Sequence, residues 1–207
     1  TVKELKAAVA ELEAMADVRF VILTGEGRSF SAGGDLEGYI RLYARPDEFQ
    51  AFLDDFHAML VGIEQARALW IAAVNGVCVA GGLELLLACD MAIAARSARI
   101  GDGHLNFGQL PGAGGSQRLP RAIGLLRAKH LMLTGELLDA ETCERWGLVT
   151  RVVAEEELIG TAEALIEGMK AKSPVGLAGM KRLANSTLVT PYAQGLRDEI
   201  AFVHHYA

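Results

Sequence analysis

Residues 70–94 read WIAAVNGVCVAGGLELLLACDMAIA, and the order of elements in this stretch sets the architecture of the chain. It opens on an apolar, β-branched run at 70–74, the pattern of a buried strand. Asn75-Gly76 is a turn dipeptide, 77–79 returns to strand character, and Gly81-Gly82 leads into good helix formers at 83–89. A helix that starts at paired glycines offers unpaired backbone N–H groups and the positive end of its dipole to whatever lies before it. Glu84 falls in the first turn, among apolar neighbours that thin its hydration. The pattern fits the floor of a site. It fits equally a plain strand-to-helix turn with permissive glycines and a dipole-favoured glutamate.

Upstream, FVILT at 20–24 is a second short apolar run and a buried strand, followed by a polar turn and the loop FSAGGDL at 30–36. Helical spacing at 2–15, with Val2, Leu5, Val9 and Leu12 on one face, predicts an opening helix with Thr1 as its cap. Helices are predicted at 36–45 and 48–66, broken by Pro46. Downstream, 91–94 and 99–101 read as strands and 102–115 as a glycine-dense loop. Residues 116–134 read as a helix broken at Pro120 and Gly124, 137–146 as a further helix, and 148–153 as the last strand. Three helices follow, at 155–172, 175–186 and 191–205. This is an α/β order with crossover connections. Residues 1–153 make a strand-bearing core, and 154–207 a helical region suited to oligomerisation.

At 207 residues and 51% hydrophobic content, the chain suffices for one well-cored domain. A net charge of −6 without a Lys/Arg cluster excludes a nucleic-acid surface. No apolar run has bilayer-spanning length and no signal peptide is evident, so a cytoplasmic protein with no membrane partner is expected. Cys78, Cys89 and Cys143 fit neither a disulfide framework nor a metal site, which suits a reducing compartment. The loops at 31–35 and 80–84 each follow a buried strand. Two such loops suggest backbone amides converging on one ligand atom, the construction of an oxyanion hole. Neither has a phosphate-loop lysine or G-x-G-x-x-G spacing, and no G-x-S-x-G elbow is present.

FSAGGDL, VNGVCVAGGLELLLACDMAIA, NFGQLPGAGGSQRLPR and LTGELLDAETCERWGLVTRVV resemble the enoyl-CoA hydratase/isomerase (crotonase) superfamily, in the family's order and spacing, from residue 1 to about residue 185. The resemblance implies a spiral of stacked β-β-α turns, a helical C-terminal region that builds a homotrimer or dimer of trimers, and an acyl-CoA substrate. No metal or redox cofactor is implied. The N–H groups of Gly34 and Gly81 would hold the thioester carbonyl, with Ala32, Gly33, Asp35, Leu36 and Gly82 along the substrate. Each positioned donor can lower the barrier to enolate formation by roughly 2.7–4 kcal/mol. The family's N-terminal strands and final helical stretch have no counterpart here, so a fragment of a longer protein is expected.

Hydratases of the family hold one water between two glutamates. Glu84 matches the first; the second position, seven residues before Pro111, is His104. Histidine can serve as an acid or base near neutral pH. Glu84 would then activate water for attack at the β-carbon while His104 supplies the α-proton; alternatively, His104 only lines the pocket. The 111–115 loop lacks the aspartate of dienoyl isomerases and dehalogenases. The missing glutamate at 104 counts against monofunctional enoyl isomerases. Hydration of a 2-enoyl-CoA to a 3-hydroxyacyl-CoA is therefore the favoured reaction. The alternatives are C–C hydrolysis or isomerisation of a related thioester or diketone, and non-catalytic acyl-CoA binding. The hydrolases pair a histidine with an aspartate, for which Asp102 is a weak candidate. Leu36, Tyr39 and Phe107 are expected to shape the acyl pocket, with core packing an equal reading for Phe107. Asp35 is expected to cap the helix that follows it, and His57, His130, His204 and His205 to be structural.

Overall fold

The computed structural model describes residues 2–206; the expected cap Thr1 lies outside them. The chain winds as a spiral of β-β-α turns. After helix α1 (Val2–Ala14), strands β1 (Phe20–Thr24) and β2 (Ser29–Ser31) lead into α2 (Leu36–Tyr43) and α3 (Pro46–Gln65). The second turn is β3 (Leu69–Val74), β4 (Val77–Val79) and α4 (Gly81–Ala88). The third is β5 (Met91–Ala95) and β6 (Arg99–Gly101), a 3-10 turn at His104–Phe107, then α5 (Gly115–Ile123) and α6 (Leu125–Thr134). Strand β7 (Leu138–Asp139), α7 (Ala140–Trp146) and β8 (Arg151–Val153) complete the strands. Helices α8 (Leu158–Lys170), α9 (Pro174–Ser186) and α10 (Tyr192–Tyr206) follow.

Successive turns stack because equivalent strands pair. One sheet runs β1-β3-β5-β8, all parallel, and the other β2-β4-β6-β7, parallel except for β7. Asn75 pins one coil to the next: its side-chain oxygen accepts from Gly25 N at 3.0 Å, and its amide donates to Gly27 O at 3.0 Å. At Gly76 an added Cβ would overlap the Arg28 carbonyl, which is the close approach the Asn-Gly turn provides.

The fully buried β3 explains why its sequence reads as a continuous apolar run rather than an alternating one. Ala72 and Val74 join the central core with Phe30, Cys78, Leu83, Ile100 and Leu119. Ile71 and Ala73 face a layer closed by Leu158 and Ala162 of α8. Trp70 packs under α1 and α3, against Val9, Met59, Leu60 and Ile63. Helix α9 is tied down by one charge: Lys181 Nζ donates to Ile63 O (2.8 Å), Ala68 O (3.0 Å) and Asp90 Oδ2 (2.9 Å).

The sequence expectations differ from the structure at five places. Pro120 does not break the helix expected over 116–134: it sits inside α5, and the break comes at Gly124, whose φ of +83° ends that helix. Pro46 opens α3 instead of separating two helices, because its fixed φ and missing N–H suit a first helical position. The helix expected from 137 begins at Ala140, since Leu138 pairs with Ile100 of β6 and Asp139 accepts from Thr142 N at 2.6 Å as the N-cap. Residues 155–157 form a 3-10 turn ahead of α8. Asp35 occupies the N-cap position of α2, yet its carboxylate caps no backbone N–H; it lies 3.5 Å from the exposed Arg41 guanidinium. Among the described residues no helix is long and apolar enough to cross a membrane.

Candidate active site

Three parallel strands, β2, β4 and β6, carry the site at their C-terminal ends. They lie side by side, with Ser31 opposite Cys78 and Val79 opposite Gly101. The chain leaving β2 forms the 32–35 loop, the chain leaving β4 forms Ala80-Gly81-Gly82, and the chain leaving β6 forms Asp102-Gly103-His104. Ligands in parallel α/β sheets gather where strands end in this way.

The first two loops pack against each other. Gly33 adopts φ +91°, and a Cβ built on it would meet the Ala80 methyl at 3.2 Å. Gly82 sits against Ser31, so a Cβ there would come within 2.5 Å of the Ser31 carbonyl. The glycine pair does not carry the unusual backbone of this turn, contrary to the usual expectation for glycine. Ala80 does, with φ 54° and ψ −118°, the one non-glycine positive φ among the described residues. That conformation costs an alanine about 1–3 kcal/mol. It is held by Ala80 N donating to Asp102 O at 2.8 Å, and it delivers Gly81 as the first residue of α4. The N–H groups of Gly81 and Gly82 fall among the first of the helix, which have no intrahelical partner. Gly34 is needed for space: a Cβ there would run into the Tyr39 ring.

Glu84 is 2% exposed, and its carboxylate is held asymmetrically. Oε1 accepts from Ala113 N and Gly115 N, both at 2.8 Å, so it sits on the N-terminus of α5. Burial raises the Glu84 pKa; the amides of Gly115 and Ala113 and the nearby His104 oppose the rise, and Asp102 adds to it. Oε2 faces Nε2 of His104 across 3.9 Å. That gap is too long for a direct hydrogen bond and short enough for one water to bond both. His104, 5% exposed, is in turn 3.1 Å through Nδ1 from Oδ1 of Asp102, which is 1% exposed. The structure therefore brings Glu84 and His104 together and adds Asp102 beside them.

Sequence reasoning missed the support behind Glu84. Arg118 forms a two-point pair with Glu64 (Nε–Oε1 2.6 Å, Nη2–Oε2 3.0 Å) and donates from Nη1 to Ala113 O at 2.5 Å. It thus fixes the loop whose amides hold Glu84. The PGAGG run ahead of SQR pointed to that loop, but nothing in the sequence pairs Arg118 with a residue 54 positions earlier.

Of the residues expected to shape an acyl pocket, Tyr39 packs over Gly34 and stacks edge-on with Phe49 and Phe52. Burial, together with the Glu84 charge and then Tyr43, pushes its phenol up to about 12. Leu36 is partly exposed. Phe107, at 62% exposure, does not pack in the core.

The family model described as enoyl-CoA hydratase/isomerase matches residues 1–207. A probable enoyl-CoA hydratase of Rhizobium meliloti (strain 1021) is 38% identical over 197 residues, spanning 95% of this chain and 75% of the relative. A crotonyl-CoA hydratase of Syntrophomonas wolfei is 35% identical over 201 residues, spanning 96% and 76%. The crystal structure of an enoyl-CoA hydratase from Bacillus anthracis superimposes with a TM-score of 0.91 at 34% identity, covering 98% of this chain and 78% of that one.

Proposed function

The chain belongs to the enoyl-CoA hydratase/isomerase family, and from that premise we propose that it adds water to a 2-enoyl-CoA, with Glu84 and His104 as the acid–base pair. One observation carries this assignment: Oε2 of Glu84 and Nε2 of His104 face each other at 3.9 Å, at the ends of strands that also present Gly34 and Gly81.

The thioester carbonyl accepts from the Gly34 and Gly81 N–H groups, and the dipole of α4 points at the same oxygen. A water lies between Glu84 Oε2 and His104 Nε2. As its oxygen attacks the β-carbon, Glu84 takes one of its protons and electron density moves through the double bond onto the carbonyl oxygen. The enolate collapses when Nε2–H of His104 delivers a proton to the α-carbon, and the proton on Glu84 returns to the histidine through the next water. Oε1 stays on its two amides throughout, so only one carboxylate oxygen exchanges protons. General acid–base groups of this kind contribute roughly 10²- to 10⁴-fold each.

The test is hydration of crotonyl-CoA by the wild type, Glu84→Gln and His104→Ala, followed at the enoyl thioester absorbance. Turnover that collapses in both variants supports the pair. Turnover unaffected by His104→Ala refutes a catalytic role for the imidazole, and a folded wild type that turns over no enoyl-CoA refutes hydration.

The proposal extends to a homotrimer or dimer of trimers. Support comes from apolar side chains left exposed on α9, α10 and the link between them, among them Met180, Val189, Tyr192, Ile200 and Val203; a monomeric mass by light scattering would refute it. A reducing, cytoplasmic setting suits three free cysteines.

A further inference from the structure

Asp102 has no part in the two-carboxylate scheme from which the proposed mechanism departs, yet it is among the most buried charged side chains in the protein. Resting on the hydratase assignment above, we infer that Asp102 is a positioning residue: it holds the proton on Nδ1 of His104 and so confines proton exchange to Nε2, the nitrogen that faces Glu84.

The first ground is a pair of complementary unmet needs. Nδ1 of His104 and Oδ2 of Asp102 are both buried, and neither has a hydrogen-bond partner among the described residues. Nδ1 already lies 3.1 Å from Oδ1, at a distance but not an alignment that satisfies it. Buried polar groups left unpaired are costly, and a bond from Nδ1–H to the Asp102 carboxylate would remove that cost at Nδ1.

The second ground is how rigidly the two residues are joined. Oδ1 of Asp102 also accepts from the backbone N–H of His104 at 3.3 Å. Gly103 between them has φ +64°, and a Cβ on it would run into Val79. The Asp102 carbonyl takes the Ala80 N–H at 2.8 Å. One residue therefore sets the imidazole on one side and the backbone leading to Gly81 on the other. The chemical consequence is selective. A ring that donates Nδ1–H to a carboxylate presents Nε2 to the reacting water in both charge states, as a base when neutral and as an acid when protonated. Which nitrogen carries a histidine's proton is decided by the bond the other makes.

The experiment uses the whole chain with Asp102→Asn and Asp102→Ala, and reads two quantities. The first is kcat and KM for crotonyl-CoA. The expected result is a loss in kcat of about 10²- to 10⁴-fold with little change in KM, the signature of an interaction that matters only during reaction. The second is the ¹⁵N spectrum of the His104 ring at a pH where it is neutral. The wild type should carry its proton on Nδ1, and Asp102→Asn should shift it to Nε2. A variant that keeps kcat within a few-fold, or a wild-type ring protonated on Nε2, overturns the inference. If the wild type hydrates no enoyl-CoA, the hydratase assignment falls, and the ring spectrum of the unaltered protein still decides the role of Asp102.

Discussion

Replacing Arg118 with methionine should damage both stability and catalysis, and the structure gives the scale of each. The guanidinium is 11% exposed and its partner carboxylate on Glu64 is 21% exposed. Removing one member of a buried pair strands the other and costs about 3–5 kcal/mol. Because Glu64 keeps some access to water, the lower end applies, and the Ala113 carbonyl adds about 1 kcal/mol for its lost donor. Glu64→Leu with Arg118→Met should recover most of the loss, since no charge is then left stranded. The coupling energy from the four-variant cycle should be about 2–3 kcal/mol, measured by urea unfolding at one protein concentration. The catalytic effect has a definite sign. The Gly115 and Ala113 amides oppose the burial that raises the Glu84 pKa. Loosening their loop lets that pKa climb further. In the proposed mechanism Glu84 acts as the carboxylate, so activity should disappear at a higher pH as the medium is acidified, and the acid limb of the kcat profile should move up. A coupling energy below about 0.5 kcal/mol would refute the stranded-charge argument for the Arg118–Glu64 pair, and an acid limb that stays in place would refute the idea that Arg118 supports Glu84 through Ala113.

Glu84→Gln should leave its clearest thermodynamic mark in a pH series of melting curves. A carboxyl with a raised folded pKa contributes stability that is complete below its ordinary value of 4.5 and is lost as pH rises through the folded value. The variant should therefore gain on the wild type from acid to neutral pH, and a constant difference would contradict a raised pKa. Ala80→Gly should stabilise the fold by about 1 kcal/mol, the strain released less the added flexibility of the unfolded chain; denaturant midpoints would show it, and destabilisation would mean that Ala80 is not strained. Lys181→Met strands Asp90, which burial already disfavours as an anion, and should cost about 3–5 kcal/mol. A urea midpoint equal to that of the wild type would show that α9 is held by packing alone.

Much of the fold is legible because its signals are local. FVILT and WIAAV read as strands because both are continuous apolar runs, and both glycine loops stand directly after strands. Strand β3 is buried throughout as expected, whereas β1, at the edge of its sheet, is only half-buried and leaves Thr24 exposed. The site is legible to the extent that it rides on those loops, which is how Gly34, Gly81 and Glu84 stand out. Long-range partners leave no such trace. Leu138 is a strand residue only because Ile100 lies beside it, and Glu64 looks like any surface glutamate until α5 brings Arg118 to it. Asp35 shows the opposite failure: the residue type suits a cap and stands at the cap position, while its side chain turns to Arg41.

The stacking of β2, β4 and β6 has a consequence for how such a catalyst can diversify. Each coil of the spiral delivers a separate component at its own strand end: Gly34 from the first, Gly81 and Glu84 from the second, Asp102 and His104 from the third. The coils are joined by backbone pairing, which is indifferent to the side chains that follow. A side chain at one tip can therefore change without disturbing the strand pairing of the others, as when the third supplies an imidazole with its own carboxylate. The tip backbones themselves stay coupled through Ala80 N and Asp102 O. On the proposed mechanism the spiral works as a rack of tools, in which the first two strand ends would grip the carbonyl and the second and third would carry the proton chemistry.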